Sequence, residues 1–167
     1  TPQETEQLLK VVFLEKDGKY SVNKKWVGKD ASLILESIGI KDADTRLVLC
    51  EVPHDHPFVL VEQLMPIMPI VRCKTFEDCV KYAVVAENGN RHTASMFSKN
   101  VDHTTRFAKE IETTIFTKNA ATLVGVGIGG EGHTTMTIAG PTGEGLTCAR
   151  SFTRRRRCML ADGGLRV

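Results

Sequence analysis

A chain of 167 residues, 41% of them hydrophobic, can bury one well-packed core and little more. Its 22 basic and 20 acidic residues leave a formal net charge of +2, an ordinary balance that signals neither a polyanion-binding protein nor an acidic tail. Every apolar run breaks within about ten residues, against the ~20 that span a bilayer, and the opening TPQETEQLLK is polar and acidic rather than a secretory leader.

Thr1-Pro2-Gln3-Glu4 is a capping box with proline at the first helical position, and it predicts a helix running to about Val12. Lys16-Asp17-Gly18-Lys19 is a turn signal. Asp30 can cap a second helix on which Ala31, Ile34, Leu35 and Ile38 share one face, with Gly39 as its end. Residues 46–52 (RLVLCEV) read as a buried strand, 54–57 as a loop, and 67–71 as a second strand framed by Pro66 and Pro69. Phe76, Cys79, Val80, Ala83 and Val84 recur at helical spacing, which predicts a helix over 75–88 capped by Thr75 with Asp78 and closed at Gly89. A strand over 93–97, an amphipathic helix over 101–112 and a strand over 114–117 follow. Strands alternating with helices imply βαβ units and a mainly parallel sheet, hence an α/β fold. Residues 125–145 then carry eight glycines, too many for a regular helix or strand, and 147–160 read as one long extended segment.

Gly125, Gly127 and Gly130 spell GxGxxG, but the β-branched HTTMTIAGP behind them opens no helix and too little chain remains for a dinucleotide fold. The four arginines at 154–157 sit in an extended, nearly neutral context with few aromatics, so they read as a strand edge rather than a nucleic-acid grip. His54-Asp55-His56 lacks a third metal ligand nearby and reads as a solvated loop. Five cysteines form no CxxC, which argues against a disulfide framework and a zinc site and fits a reducing cytosol. Cys50 and Cys79 fall on apolar faces, Cys73 ends a strand and Cys158 alternates with arginines. Cys148 alone is a candidate reactive thiol, with Arg150 as a cationic neighbour. His92, where a loop gives way to a strand, is read equally as a site residue and as a hydrogen-bonded structural histidine.

In GIGGEGHTTMTIAGPTGEGLTCARSFTRRRRCMLADG the chain closely resembles the C-terminal end of the CoA-acylating aldehyde dehydrogenases, of the ethanolamine- and propanediol-utilisation type found in bacterial microcompartments. KKWVGKDA, TRLVLCEV, HPFVLVEQLMPIMPIVRC, RHTASMFSKN and TIFTKNA resemble the same family in the same order. The resemblance implies part of a catalytic α/β domain over 1–122, a glycine-rich active-site loop over 123–146 and an oligomerisation β-arm over 147–167. It implies NAD and coenzyme A as cofactors and a short-chain aldehyde as substrate. A cysteine thiolate attacks the aldehyde, and the resulting thioester is passed to coenzyme A.

No residue here matches the motif of that cysteine, and the family's dinucleotide domain is missing, as is an initiator methionine. The chain is therefore expected to be a C-terminal fragment, inactive alone. By pattern, Glu62 is a solvated loop carboxylate. By resemblance it is the glutamate that binds the nicotinamide ribose, with Leu64 packing beside the nicotinamide. His92 matches a histidine at the acylating site that orients or deprotonates the incoming thiol. Thr135 and Ile138 are candidate lining residues of the substrate and acyl-transfer end. The arm implies self-association, its edge hydrogen bonds met by another chain. No metal, nucleic acid or membrane partner is expected, and the location is cytoplasmic, with a microcompartment as the family's setting. The other reading is a self-contained small binding or assembly module that dimerises through its arm.

Overall fold

The computed structural model describes residues 1–129, 134–136, 138–139 and 145–161. Gly130, most of the glycine-rich loop beyond it and the last six positions of the expected arm lie outside the described residues. The chain divides into two units, Thr1–Gly89 and Asn90–Val167.

In the first unit, α1 (Pro2–Val12) begins with the anticipated capping box: Thr1 Oγ1 accepts from the Glu4 N–H, and the Glu4 carboxylate turns back to the amino terminus at 2.6 Å. The helix runs straight into β1 (Phe13–Lys16), which pairs antiparallel with β2 (Lys19–Val22). Asp17 and Gly18 both have positive φ (52° and 71°), the geometry that lets a two-residue turn follow the strand twist. Next comes α2 (Ala31–Glu36). Asp30 stands at its N-cap but makes no side-chain capping bond, and Ala31 and Ile34 are its buried positions.

β3 (Val48–Glu51) and β4 (Ile67–Ile70) pair in parallel, with Val48 opposite Ile67 and Glu51 opposite Ile70. The crossover contains a short helix, α3 (Pro57–Leu60), which starts on the last residue of the expected loop and continues through residues assigned to no element. Proline at its first position is pre-set for helix, and His56 caps it. Leu8, Leu9, Val12, Phe13, Ile34, Cys50, Val52, Phe58 and Ile67 form one contiguous core from α1, the hairpin, α2 and the β3–α3–β4 crossover. α4 (Phe76–Glu87) closes the unit. Thr75 Oγ1 accepts from the Asp78 N–H at 3.1 Å, and Asn88 ends the helix in the left-handed region.

The second unit repeats the motif. β5 (Thr93–Met96) and β6 (Ile115–Lys118) pair in parallel through α5 (Val101–Ile111), which Asn100 caps. α6 (Thr122–Gly125) packs on β6 so closely that a Cβ on Gly125 would collide with Ile115. β7 (Ile138–Ala139) and β8 (Gly145–Leu146) make a brief antiparallel contact.

Among the described residues the parallel strands occur as separate two-stranded pairs rather than one continuous sheet. The expected extended segment over 147–160 is interrupted by a 3-10 turn at Ala149–Phe152. There the Cys148 N–H donates to Ser151 Oγ, and the Thr153 N–H to the Arg150 carbonyl. Residues 154–160 carry no regular element and are exposed.

Candidate functional site

Glu62 and Leu64 lie in the turn between α3 and β4. The Glu62 side chain is exposed, and it is also fixed: Oε1 accepts from the N–H groups of Gln63 and Leu64, both at 3.1 Å. Closing so tight a turn puts Leu64 at φ 54°, a left-handed conformation that costs a leucine of order 1–2 kcal/mol. The Leu64 carbonyl is held by the Gly28 N–H at 3.1 Å, while its side chain remains 66% exposed. An exposed leucine on a strained backbone, beside a pinned carboxylate, is a surface feature that packing within the unit does not explain.

Beneath the turn sit two buried polar side chains that sequence reasoning missed or misplaced. His56, read above as solvated, is buried. Its Nδ1 accepts from the Phe58 N–H at 3.1 Å, so the ring proton belongs on Nε2. Burial holds its pKa below the ordinary histidine value, against the opposing pull of Glu6 and Asp55. Gln63 is 7% exposed, and its Nε2 donates to the Phe58 carbonyl at 2.8 Å. Pro57 is the only sequence cue to a helix start after His56, since histidine is not among the usual N-cap residues; nothing in the pattern marked Gln63 as buried. His54 stacks on Tyr82 with ring centroids 3.9 Å apart. Among the described residues no group of three or more His, Cys, Asp or Glu could hold a metal ion.

In the second unit His92 is exposed at the entry to β5. Its Nδ1 lies 2.7 Å from Thr93 Oγ1, and its carbonyl accepts from the Ile115 N–H. Arg91, at φ 51°, pairs with Glu112 at 2.8 Å and fixes the chain just before it. Thr135 donates its backbone N–H to the Val126 carbonyl at 3.1 Å, and Ile138 is half-buried opposite Leu146.

The cysteines divide by environment. Burial raises the Cys50 thiol, and burial with the neighbouring Cys79 raises Cys73. Cys79, expected on an apolar face, is exposed. The Cys148 thiol is lowered, first by the N–H groups of Arg150 and Ser151 and then by the Ser151 hydroxyl.

A family model described as the aldehyde dehydrogenase family matches residues 45–145, and this chain belongs to that family. Among relatives, it is 46% identical over 165 residues to the acetylating acetaldehyde dehydrogenase EutE of Salmonella typhimurium, covering 97% of this chain and 35% of that protein. It is 44% identical to the CoA-propanoylating propanal dehydrogenase of the same organism, covering 98% of this chain and again 35% of the relative. A crystal structure of the Rhodopseudomonas palustris propionaldehyde dehydrogenase with bound propionyl-CoA superposes with a TM-score of 0.87 at 48% identity, over 96% of this chain and 35% of that one. The chain thus spans about a third of the length of the proteins it matches.

Proposed function

We propose that this chain is part of an NAD-dependent, CoA-acylating aldehyde dehydrogenase that converts a short-chain aldehyde to its acyl-CoA. The observation that carries the reading is the turn at Glu62. One carboxylate oxygen is already engaged by two backbone amides, so the other is presented to solvent in a fixed direction, suited to accept from a ribose hydroxyl. The uncovered Leu64 side chain offers an apolar face to a flat nicotinamide ring. Bound NAD supplies the hydride acceptor; Glu62 and Leu64 orient it. His92, its ring steadied at Nδ1 by the Thr93 hydroxyl, orients or deprotonates the incoming coenzyme A thiol. Thr135 and Ile138 line the acyl-transfer end.

The test is an exchange of parts. The aligned third of the Salmonella acetaldehyde dehydrogenase is replaced by this chain, and NADH formation is followed with a short aldehyde, NAD and coenzyme A. Turnover is expected from the hybrid and none from the 167-residue chain alone. Glu62→Ala raises KM for NAD roughly tenfold or more, and His92→Ala lowers CoA-dependent turnover about 10²–10⁴-fold. A hybrid whose KM for NAD ignores Glu62→Ala removes the cofactor role.

The tail is read as a self-association arm, working in the cytoplasm or inside a microcompartment. Phe152, Met159 and Leu160 are 72%, 82% and 61% exposed, large apolar side chains that a second copy would cover. Analytical ultracentrifugation of the chain with and without residues 149–167 checks this; two monomers would dismiss it.

A further inference from the structure

The turn at Glu62 poses a physical problem. A carboxylate on a surface turn ordinarily samples many directions, and a leucine at positive φ works against the turn that holds it. Something must tie the turn to the core. Four main-chain bonds help: Val61 N–H to the Pro57 carbonyl, Gly28 N–H to the Leu64 carbonyl, Ile67 N–H to the Met65 carbonyl and Val48 N–H to the Pro66 carbonyl. Of the two residues whose N–H groups hold the carboxylate, Leu64 is tied by the bond from Gly28, but none of the four reaches Gln63 or leads into the core beneath it. Gln63 itself does.

Its main-chain N–H donates to Glu62 Oε1, while its side-chain amide reaches inward to the carbonyl of Phe58. Phe58 is 2% exposed and packs against Phe13 at 5.6 Å between ring centroids, so the anchor point is the centre of the first unit's core. The other polar group of the same residue, the Phe58 N–H, is taken by His56 Nδ1. The two main-chain polar groups of one core residue are therefore held by two nine-tenths-buried polar side chains. Each leaves one atom, His56 Nε2 and Gln63 Oε1, buried with no partner among the described residues. Burying half of an amide unsatisfied is costly, of order 1–3 kcal/mol. Stability alone would favour an apolar residue at 63 and a carbonyl met in some other way. The retained cost points to a role in geometry.

We propose that Gln63 is a positioning residue: its buried amide on the Phe58 carbonyl and its main-chain N–H on the Glu62 carboxylate transmit the rigidity of the core to the direction in which Glu62 meets the cofactor ribose. This rests on the cofactor reading of Glu62 given above. The chemistry requires a donor at the end of this side chain, because the Phe58 oxygen can only accept. Leucine fills the space without the bond. Glutamate supplies a donor only when protonated.

The experiment uses the full chain carried in the Salmonella relative, with KM for NAD and kcat measured for Gln63→Leu and Gln63→Glu. The isolated 167-residue chain serves for amide exchange. Gln63→Leu is expected to raise KM for NAD about tenfold, with the larger part of the effect in KM rather than kcat, and to speed exchange of the Leu64 N–H that Glu62 holds. Gln63→Glu is expected to match it near neutral pH and to recover toward wild type as the pH falls, while wild type shows no such recovery. A purely structural residue would lower the melting temperature and leave that pH signature absent.

A wild-type KM in Gln63→Leu overturns the proposal. Where that variant does not fold, a Gln63→Glu enzyme whose KM follows the wild-type pH dependence overturns it. If Glu62→Ala raises KM and Gln63→Leu does not, the positioning role falls and the cofactor role stands. If Glu62→Ala itself leaves KM unchanged, the cofactor role falls, and Leu64 exchange alone then reports whether Gln63 holds the turn.

Discussion

The two parallel strand pairs share a topology and differ in what holds them. β3–α3–β4 wraps a four-residue helix whose Phe58 plugs an apolar core shared with α1, α2 and the hairpin. β5–α5–β6 uses an eleven-residue helix, yet two of its buried positions, Thr104 and Thr117, are polar. The second pair leans on hydrogen bonds instead. The Thr104 hydroxyl donates to the Asn100 carbonyl, Ser95 and Thr117 share a hydroxyl contact, and Asn119 brackets Ser98. Its Oδ1 accepts from the Ser98 N–H at 2.7 Å and its Nδ2 donates to the Ser98 carbonyl at 3.0 Å. One supersecondary unit can thus be fixed by burial or by polar brackets. Burial permits a rigid exposed turn on top of it, at Glu62; brackets leave His92 at a more open strand entry.

The sharpest way to break this contrast is at the core. Phe58→Ala should cost about 3–5 kcal/mol in the first unit, read as a lower urea midpoint, because it removes a buried ring and leaves a cavity at the centre of the core. An effect below about 1 kcal/mol would mean the core is not organised around Phe58. Asn119→Ala should cost less, about 1–2 kcal/mol, from two lost brackets and an alanine forced to φ 55°. Its expected mark is faster exchange of the Ser98 N–H with the Leu64 N–H unchanged. Equal changes at both sites would erase the distinction between the units.

The smallest effect is the acid response of His56. Its folded pKa lies below its ordinary value of 6.5, so between the two the unfolded chain binds more protons. The associated stability is full above about pH 6.5 and is lost as pH falls through the folded pKa. The urea midpoint should therefore drop on mild acidification, and His56→Asn, which keeps a capping side chain, should shrink the drop. A midpoint that stays flat through this window would contradict the burial of the ring. Glu4 and Asp42, both lowered from ordinary carboxylate values, act in a more acidic window.

Much of the fold was legible where local chemistry decides it. The Thr1 capping box, the Thr75 cap and the periodicity of α4 and α5 all appear where the spacing puts them, and the alternation of strand and helix foretold the parallel pairs. What escaped was tertiary. Strands of four residues, such as β1 and β2, are too short to show alternation around a turn signal that was itself visible. α3 hid inside an apolar run because one turn of helix has no periodicity to read. At the candidate site, Glu62 and Leu64 came from resemblance alone, while His92 was marked by its place where a loop gives way to a strand and took its proposed role from resemblance, since an exposed carboxylate or imidazole looks like any other in a sequence. The burial of His56 and Gln63 could not be foreseen, because a polar residue goes inside only where a particular carbonyl or amide waits for it.

The brevity of both crossovers also bears on how the chain acquires its shape. Val48 meets Ile67, and Thr93 meets Ile115, so each pairing closes a loop of roughly twenty residues, at nearly equal entropic cost. Neither closure waits for the other. During synthesis the earlier pair can nucleate while the later one is still unmade, and pulse-labelled exchange on refolding of the whole chain should find molecules protected at Cys50 and not at Ala94, and others with the reverse.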